Sequence, residues 1–231
     1  MSTENTLHTN HAAIMEQIEA AAKAAKRSSE EIKVLAVTKT VSPDLMKQLL
    51  ALGIHAFGEN RSDVLLEKQA ALSDLTEAIE WHFIGRLQSR QVKTIINQID
   101  YLHSLDRLSL AKEIQKRAED TVRCFVQVNV SGEESKAGFE PAELKASLEA
   151  LAAYDKIQVV GLMTMAPYDA TEEDLHTYFS QLKGLQVEMA GLGLAHAPCQ
   201  EVSMGMSQDF PIAIAEGSSL VRIGSAFFEG L

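Results

Sequence analysis

The chain has 231 residues, 46% hydrophobic and 23% charged, a composition that closes a large core and excludes disorder or collagen-like repetition. Its 21 Lys and Arg against 32 Asp and Glu leave a net charge of -11, which repels polyanions, so nucleic acid is not an expected partner. No run of about 18 apolar residues occurs, and Met1 to Ala13 is polar rather than basic and then apolar, so no membrane contact is expected and the chain is expected in the cytoplasm.

In chain order, an Ala-rich amphipathic helix from about His11 to Lys26 leads into a first strand, Ile32 to Thr38. Ser42-Pro43-Asp44 opens the next helix, with Ser at the N-cap and Pro at the first helical position, where its missing N–H costs nothing. Short apolar runs predict further strands at Ile54 to Phe57, Trp81 to Ile84, Tyr101 to Leu105, Val122 to Val130, Ile157 to Leu162, Glu201 to Ser203 and Val221 to Ile223. Segments of helical period lie between them. Such alternation predicts a parallel sheet with right-handed crossovers, and in this length it fits an α/β fold closed as a (β/α)8 TIM barrel with an extra N-terminal helix. No Pro-, Gly- or Ser-rich linker divides the chain, so residues 1–231 are expected to form one domain. An open doubly wound sheet is the rival, but Thr38-Lys39-Thr40 stands where its Gly-rich loop belongs.

Barrel active sites gather at the carboxyl ends of the strands. Lys39 ends the first strand, and a lysine there forms Schiff bases with carbonyl compounds; the plainer reading is an ammonium reaching solvent. Ser203, Gly205 and Ser207 end the seventh strand, and Gly224-Ser225 the eighth, just before a short terminal turn, Ala226 to Glu229. Those two loops are the recurrent phosphate site of such barrels, so a phosphorylated ligand is expected, although Ser and Gly are also common turn residues. Arg222 lies inside an apolar strand and needs a partner: either a polar cavity, where facing a ring nitrogen it could only donate a hydrogen bond, or an ion pair with Glu216 or Glu201. His82 reads as a general base or as a hydrogen-bonded core residue. Cys124 and Cys199 lack CxxC spacing and read as buried reduced thiols, and His8 and His11 have no zinc-site companions, so no metal is expected.

The segments Ala36-Val37-Thr38-Lys39-Thr40, Phe57-Gly58-Glu59-Asn60, Trp81-His82-Phe83-Ile84-Gly85 with Leu87-Gln88-Ser89, Gly161-Leu162-Met163, Ser203-Met204-Gly205-Met206-Ser207 and Val221-Arg222-Ile223-Gly224-Ser225 together resemble the pyridoxal phosphate homeostasis protein family. The resemblance runs from residue 36 to 225 and implies a barrel like the N-terminal domain of alanine racemase. It implies that pyridoxal 5′-phosphate forms an internal aldimine with Lys39. It further implies that Ser203, Gly224 and Ser225, with Ser207, hold the phosphate, that Arg222 faces the pyridine nitrogen, and that Asn60, His82 and Met163 line the pocket. Arg86 and Arg90-Gln91 depart from the family pattern, and Lys136, in a segment like the family's Ser-Lys-x-Gly, reads as a peripheral contact or a solvated loop lysine.

The resemblance favours a protein that holds the cofactor and delivers it to apo enzymes that depend on it. A racemase would need a second base opposite the lysine, and alanine racemase is implied to draw that base from a tyrosine of a further domain not expected here. Tyr168 is the remaining candidate within this chain. A Schiff-base aldolase would share the lysine and the phosphate loops but needs a proton relay that is not evident.

Overall fold

The computed structural model describes residues 3–133 and 137–231. Eight strands, β1 (Lys33–Val37), β2 (Ala56–Glu59), β3 (Glu80–Phe83), β4 (Tyr101–Leu105), β5 (Val122–Gln127), β6 (Ile157–Met163), β7 (Glu201–Met206) and β8 (Leu220–Ile223), close in sequence order into a barrel. All neighbours are parallel, and β8 returns to β1 with Lys33 opposite Leu220 and Ala36 opposite Ile223. The helices are α1 (Thr3–Ala24), α2 (Pro43–Ala51), α3 (Ser62–Ala71), α4 (Val92–Ile95), α5 (Leu108–Arg117), α6 (Leu144–Leu151), α7 (Glu172–Ala190), α8 (Phe210–Ala215) and α9 (Ser225–Phe228).

Each strand is buried on both faces, which is why it reads as a short, nearly continuous apolar run. Outward residues such as Phe57, Phe83, Leu102, Val126 and Val221 pack under the helices. Inward, Leu35, Ala56, Tyr101, Phe125, Val160, Met163 and Leu220 form a separate apolar cluster in the barrel.

The differences from the sequence reading have identifiable structural causes. The first helix begins at Thr3 rather than near His11, because Leu7 continues the buried stripe of Ile14, Ile18 and Ala22, and the Asn10 amide donates to the carbonyls of Phe227 and Glu229. Strand β5 stops at Gln127, beyond which the Asn129 side chain donates to the Glu133 carbonyl and the backbone pairs with Phe139. Strand β7 runs on to Met206, with its register to β8 shifting between Ser203 and Met206. Gly205 permits this: its φ is +93°, and a Cβ there would stand 2.6 Å from that of Ala213. Ser42 does occupy the N-cap of α2 and Pro43 its first position, but the Ser42 side chain makes no cap hydrogen bond. Among the described residues, no helix is long and apolar enough to cross a membrane. Cys124 and Cys199 are both buried and unpaired, and burial pushes both thiols up, that of Cys199 to about 12.

Candidate functional site

The carboxyl ends of β1, β2, β7 and β8 bring together Lys39, Asn60, Ser207, Gly224 and Ser225. Lys39 lies in an exposed turn directly after β1. The residue before it is clamped from outside the barrel: the Thr38 hydroxyl donates to Glu59 Oε1 at 2.6 Å, and Lys68 Nζ, from α3, reaches the Thr38 carbonyl at 2.5 Å and Glu59 Oε1 at 2.7 Å. All three side chains are buried, and Glu59 Oε2 has no hydrogen-bond partner among the described residues. Asn60, exposed at the end of β2, passes its carbonyl oxygen so close to Gly85 that a Cβ there would lie 2.2 Å from it.

The loops after β7 and β8 are joined through one hydroxyl. Ser207 Oγ accepts from the backbone N–H groups of Gly224, at 3.2 Å, and Ala226, at 3.3 Å. Ser225, exposed, is the first residue of α9. Amides already gathered on one oxygen are the donor set that an anion's oxygen would take. Because β8 pairs with β1, this donor set stands at the end of the strand beside that of Lys39.

Beneath it, inside the barrel, lies Arg222, 4% exposed. Its NH1 donates to Ser203 Oγ at 2.7 Å and its NH2 to the Thr164 carbonyl at 2.9 Å. Neither Glu216 nor Glu201 is its partner; Glu216 accepts instead from His176. Burial lowers the guanidinium to about 10, opposed by the nearby charge of Asp209. Ser203 is 0% exposed and lies in the barrel interior rather than at its mouth, because β7 is longer than the sequence implied. His82 is interior as well, stacked on Tyr101 with ring centres 4.5 Å apart, its Nε2 2.7 Å from Glu80 Oε1 and its Nδ1 2.8 Å from His103 Nε2. Met163 belongs to the interior apolar cluster.

Sequence reasoning passed over His103, Glu80 and the Glu59–Lys68 pair. The signal for His103 and Glu80 was strand parity: they share the inward face with Tyr101 and His82 two residues away. A recess of about 290 Å³ opens at the ends of β3, β5 and β6, lined by Ile84, Arg86, Gln127, Asn129, Thr164 and Met165. Lys136 lies outside the described residues. Tyr168 is described and is 89% exposed. Among the described residues no group of His, Cys, Asp or Glu is arranged to hold a metal.

The closed parallel barrel is matched over residues 10–230 by the family model of the alanine racemase N-terminal domain. The chain is 42% identical to the pyridoxal phosphate homeostasis protein of Aquifex aeolicus, over 93% of this chain and 94% of that one. It is 35% identical to the protein of the same name from Escherichia coli K12, over 97% and 96%. PipY of Synechococcus elongatus, solved with pyridoxal phosphate bound, superposes with a TM-score of 0.80 at 31% identity, covering 92% of this chain and 99% of that one. Within the alanine racemase N-terminal class, the chain belongs to the pyridoxal phosphate homeostasis protein family. Alanine racemase of Corynebacterium glutamicum shares the fold at 19% identity and a TM-score of 0.66, this chain spanning 62% of its length.

Proposed function

We propose that this protein binds pyridoxal 5′-phosphate covalently and reversibly through Lys39, in the cytoplasm, and serves its homeostasis by holding the cofactor and passing it to apo enzymes that need it. The observation that carries the reading is the juxtaposition on neighbouring strands: a primary amine after β1, and two amides after β8 already converging on the hydroxyl oxygen of Ser207 after β7, with a buried guanidinium below. The residues fit the group. When bound, the cofactor supplies an aldehyde that condenses with a primary amine.

In this reading Ser207, Ser225 and the Gly224 amide hold the phosphate, while Asn60 stands at the rim beside Lys39. Arg222 uses two of its five N–H donors on Ser203 and Thr164, so others remain for the pyridine nitrogen. Because arginine keeps its proton, that nitrogen would stay unprotonated and withdraw electrons poorly, which favours storage over carbanion chemistry. His82, Met163 and Ser203 support the pocket from within the barrel. The net charge of -11 suits a protein that does not engage nucleic acid.

Purified protein mixed with pyridoxal phosphate should develop a visible absorbance band, and borohydride should then fix a pyridoxyl mass on Lys39. Lys39→Ala should lose the band while melting cooperatively like the wild type. An adduct found chiefly on another lysine would overturn the assignment.

A further inference from the structure

A continuous series of hydrogen bonds runs through the barrel from its amino-terminal face to Arg222. Lys33 Nζ meets Glu80 Oε1 at 2.5 Å, and Glu80 meets His82 as described. His82 meets His103 on β4, His103 Nδ1 lies 3.1 Å from Ser203 Oγ, and Ser203 accepts from Arg222. Both rings are fully buried, His82 against Tyr101 and His103 against Phe125, whose ring centre is 4.4 Å away.

The chemistry at one end fixes the direction of every link. An ionised carboxylate can only accept, so His82 Nε2 carries a hydrogen and donates to Glu80. In a neutral ring Nδ1 then accepts, which makes His103 Nε2 a donor. His103 Nδ1 must therefore accept, and the hydrogen it takes is that of the Ser203 hydroxyl. With its hydrogen committed, Ser203 offers only lone pairs to Arg222. Protonation of His82 would reverse the series: His82 Nδ1 would donate, His103 would switch tautomer, and its Nδ1 would compete with Arg222 for the Ser203 oxygen.

We propose that His103, acting through Ser203, is a positioning residue for Arg222, and that the one-way series anchored on Glu80 orients the guanidinium toward the cofactor's ring nitrogen. The proposal rests on the cofactor reading above. It also gives Ser203 a role distinct from the phosphate contact expected from sequence. Two observations support it. The direct partners of Arg222 are a neutral hydroxyl and a fixed backbone carbonyl, so the lone-pair direction of the hydroxyl is the adjustable contact that aims the cation. The charged groups around the series are also compatible with neutral rings: Lys33, Glu80 and Asp100 near His82, Lys33 and Arg222 near His103, Asp209 near Arg222, and Glu201 and Arg123 toward the Glu80 end. Burial lowers both imidazoles from their ordinary value, His103 furthest, outweighing the Glu80 carboxylate that favours charge on His82.

Two measurements test it. Long-range ¹⁵N–¹H NMR of the cofactor-free protein, between about pH 6 and pH 8, should find His82 and His103 both neutral with hydrogen on Nε2. Hydrogen on Nδ1 of His103, or an imidazolium at either position, overturns the proposal. Binding is then compared for pyridoxal phosphate and its carbocyclic analogue, which has C–H in place of the ring nitrogen. The wild type should prefer the pyridine by about tenfold, and His103→Leu and Glu80→Ala should bring the ratio toward one. A folded variant that keeps the wild-type ratio, or weakens both ligands equally, overturns the proposal. If His103→Leu does not fold, Glu80→Ala, altered at the rim, still decides. Failure of the wild type to bind either ligand would overturn the cofactor reading instead, and the tautomers would still report on the series itself.

Discussion

Glu80 sits where the barrel interior meets water, and its ionisation links the interior to solution pH. Burial alone would raise its carboxyl, but hydrogen bonds from His82 and Lys33 outweigh that and hold it at about 2, against an ordinary value of 4.5. A group depressed on folding contributes stability that is complete above the unfolded value and lost as pH falls through the folded one. Wild-type protein should therefore lose melting temperature between about pH 4.5 and pH 2 more steeply than Glu80→Gln. Parallel acid profiles for the two proteins would contradict this role. Residue by residue, legibility followed position in the strand. Lys39, Arg222, Gly224 and Ser225 could be picked out because a cation or a Gly-Ser pair is anomalous at the end of an apolar run. Ser203 was recognisable as unusual but not as deep, since sequence parity tells inward from outward and says nothing of depth along the barrel axis, whereas His82 could already be read as a hydrogen-bonded core residue. His103 escaped notice because it lies in the middle of its strand, away from the carboxyl end.

At the level of elements, α3 is tied to the first two strands by the buried Thr38, Glu59 and Lys68 side chains. The pair is inside the protein, with only 7% of the Lys68 side chain and 0% of that of Glu59 exposed, so removing one partner strands the other's charge. Lys68→Met should cost about 3 to 5 kcal/mol in urea unfolding, and adding Glu59→Gln should recover much of it. A loss below about 1 kcal/mol would mean that water reaches Glu59 in the native state. The same clamp holds the carbonyl of Thr38, the residue before Lys39, so the double variant should recover stability more fully than cofactor affinity. Element order was readable because doubly buried strands leave apolar runs. The start of α1 was not: its first turns carry one buried leucine among polar residues, and what orders them is contact with α8 and α9, elements distant in sequence.

For the whole molecule, the decisive feature is that the barrel closes by pairing its first strand with its last. Lys39 belongs to the start of the chain, whereas Ser207, Gly224 and Ser225 belong to its end, and only the β1–β8 seam makes them neighbours. No local segment, and no partial barrel lacking β8, holds both halves of the proposed site. Contacts of such long sequence separation form late, because loop closure must precede them. In a stopped-flow refolding experiment, the absorbance of captured pyridoxal phosphate should thus lag behind far-ultraviolet circular dichroism and appear with the slowest phase; a signal rising with early secondary structure would refute this order. With the site proposed above, the seam makes cofactor capture a proofreading step for the fold, since a chain that holds its ligand has already closed its barrel.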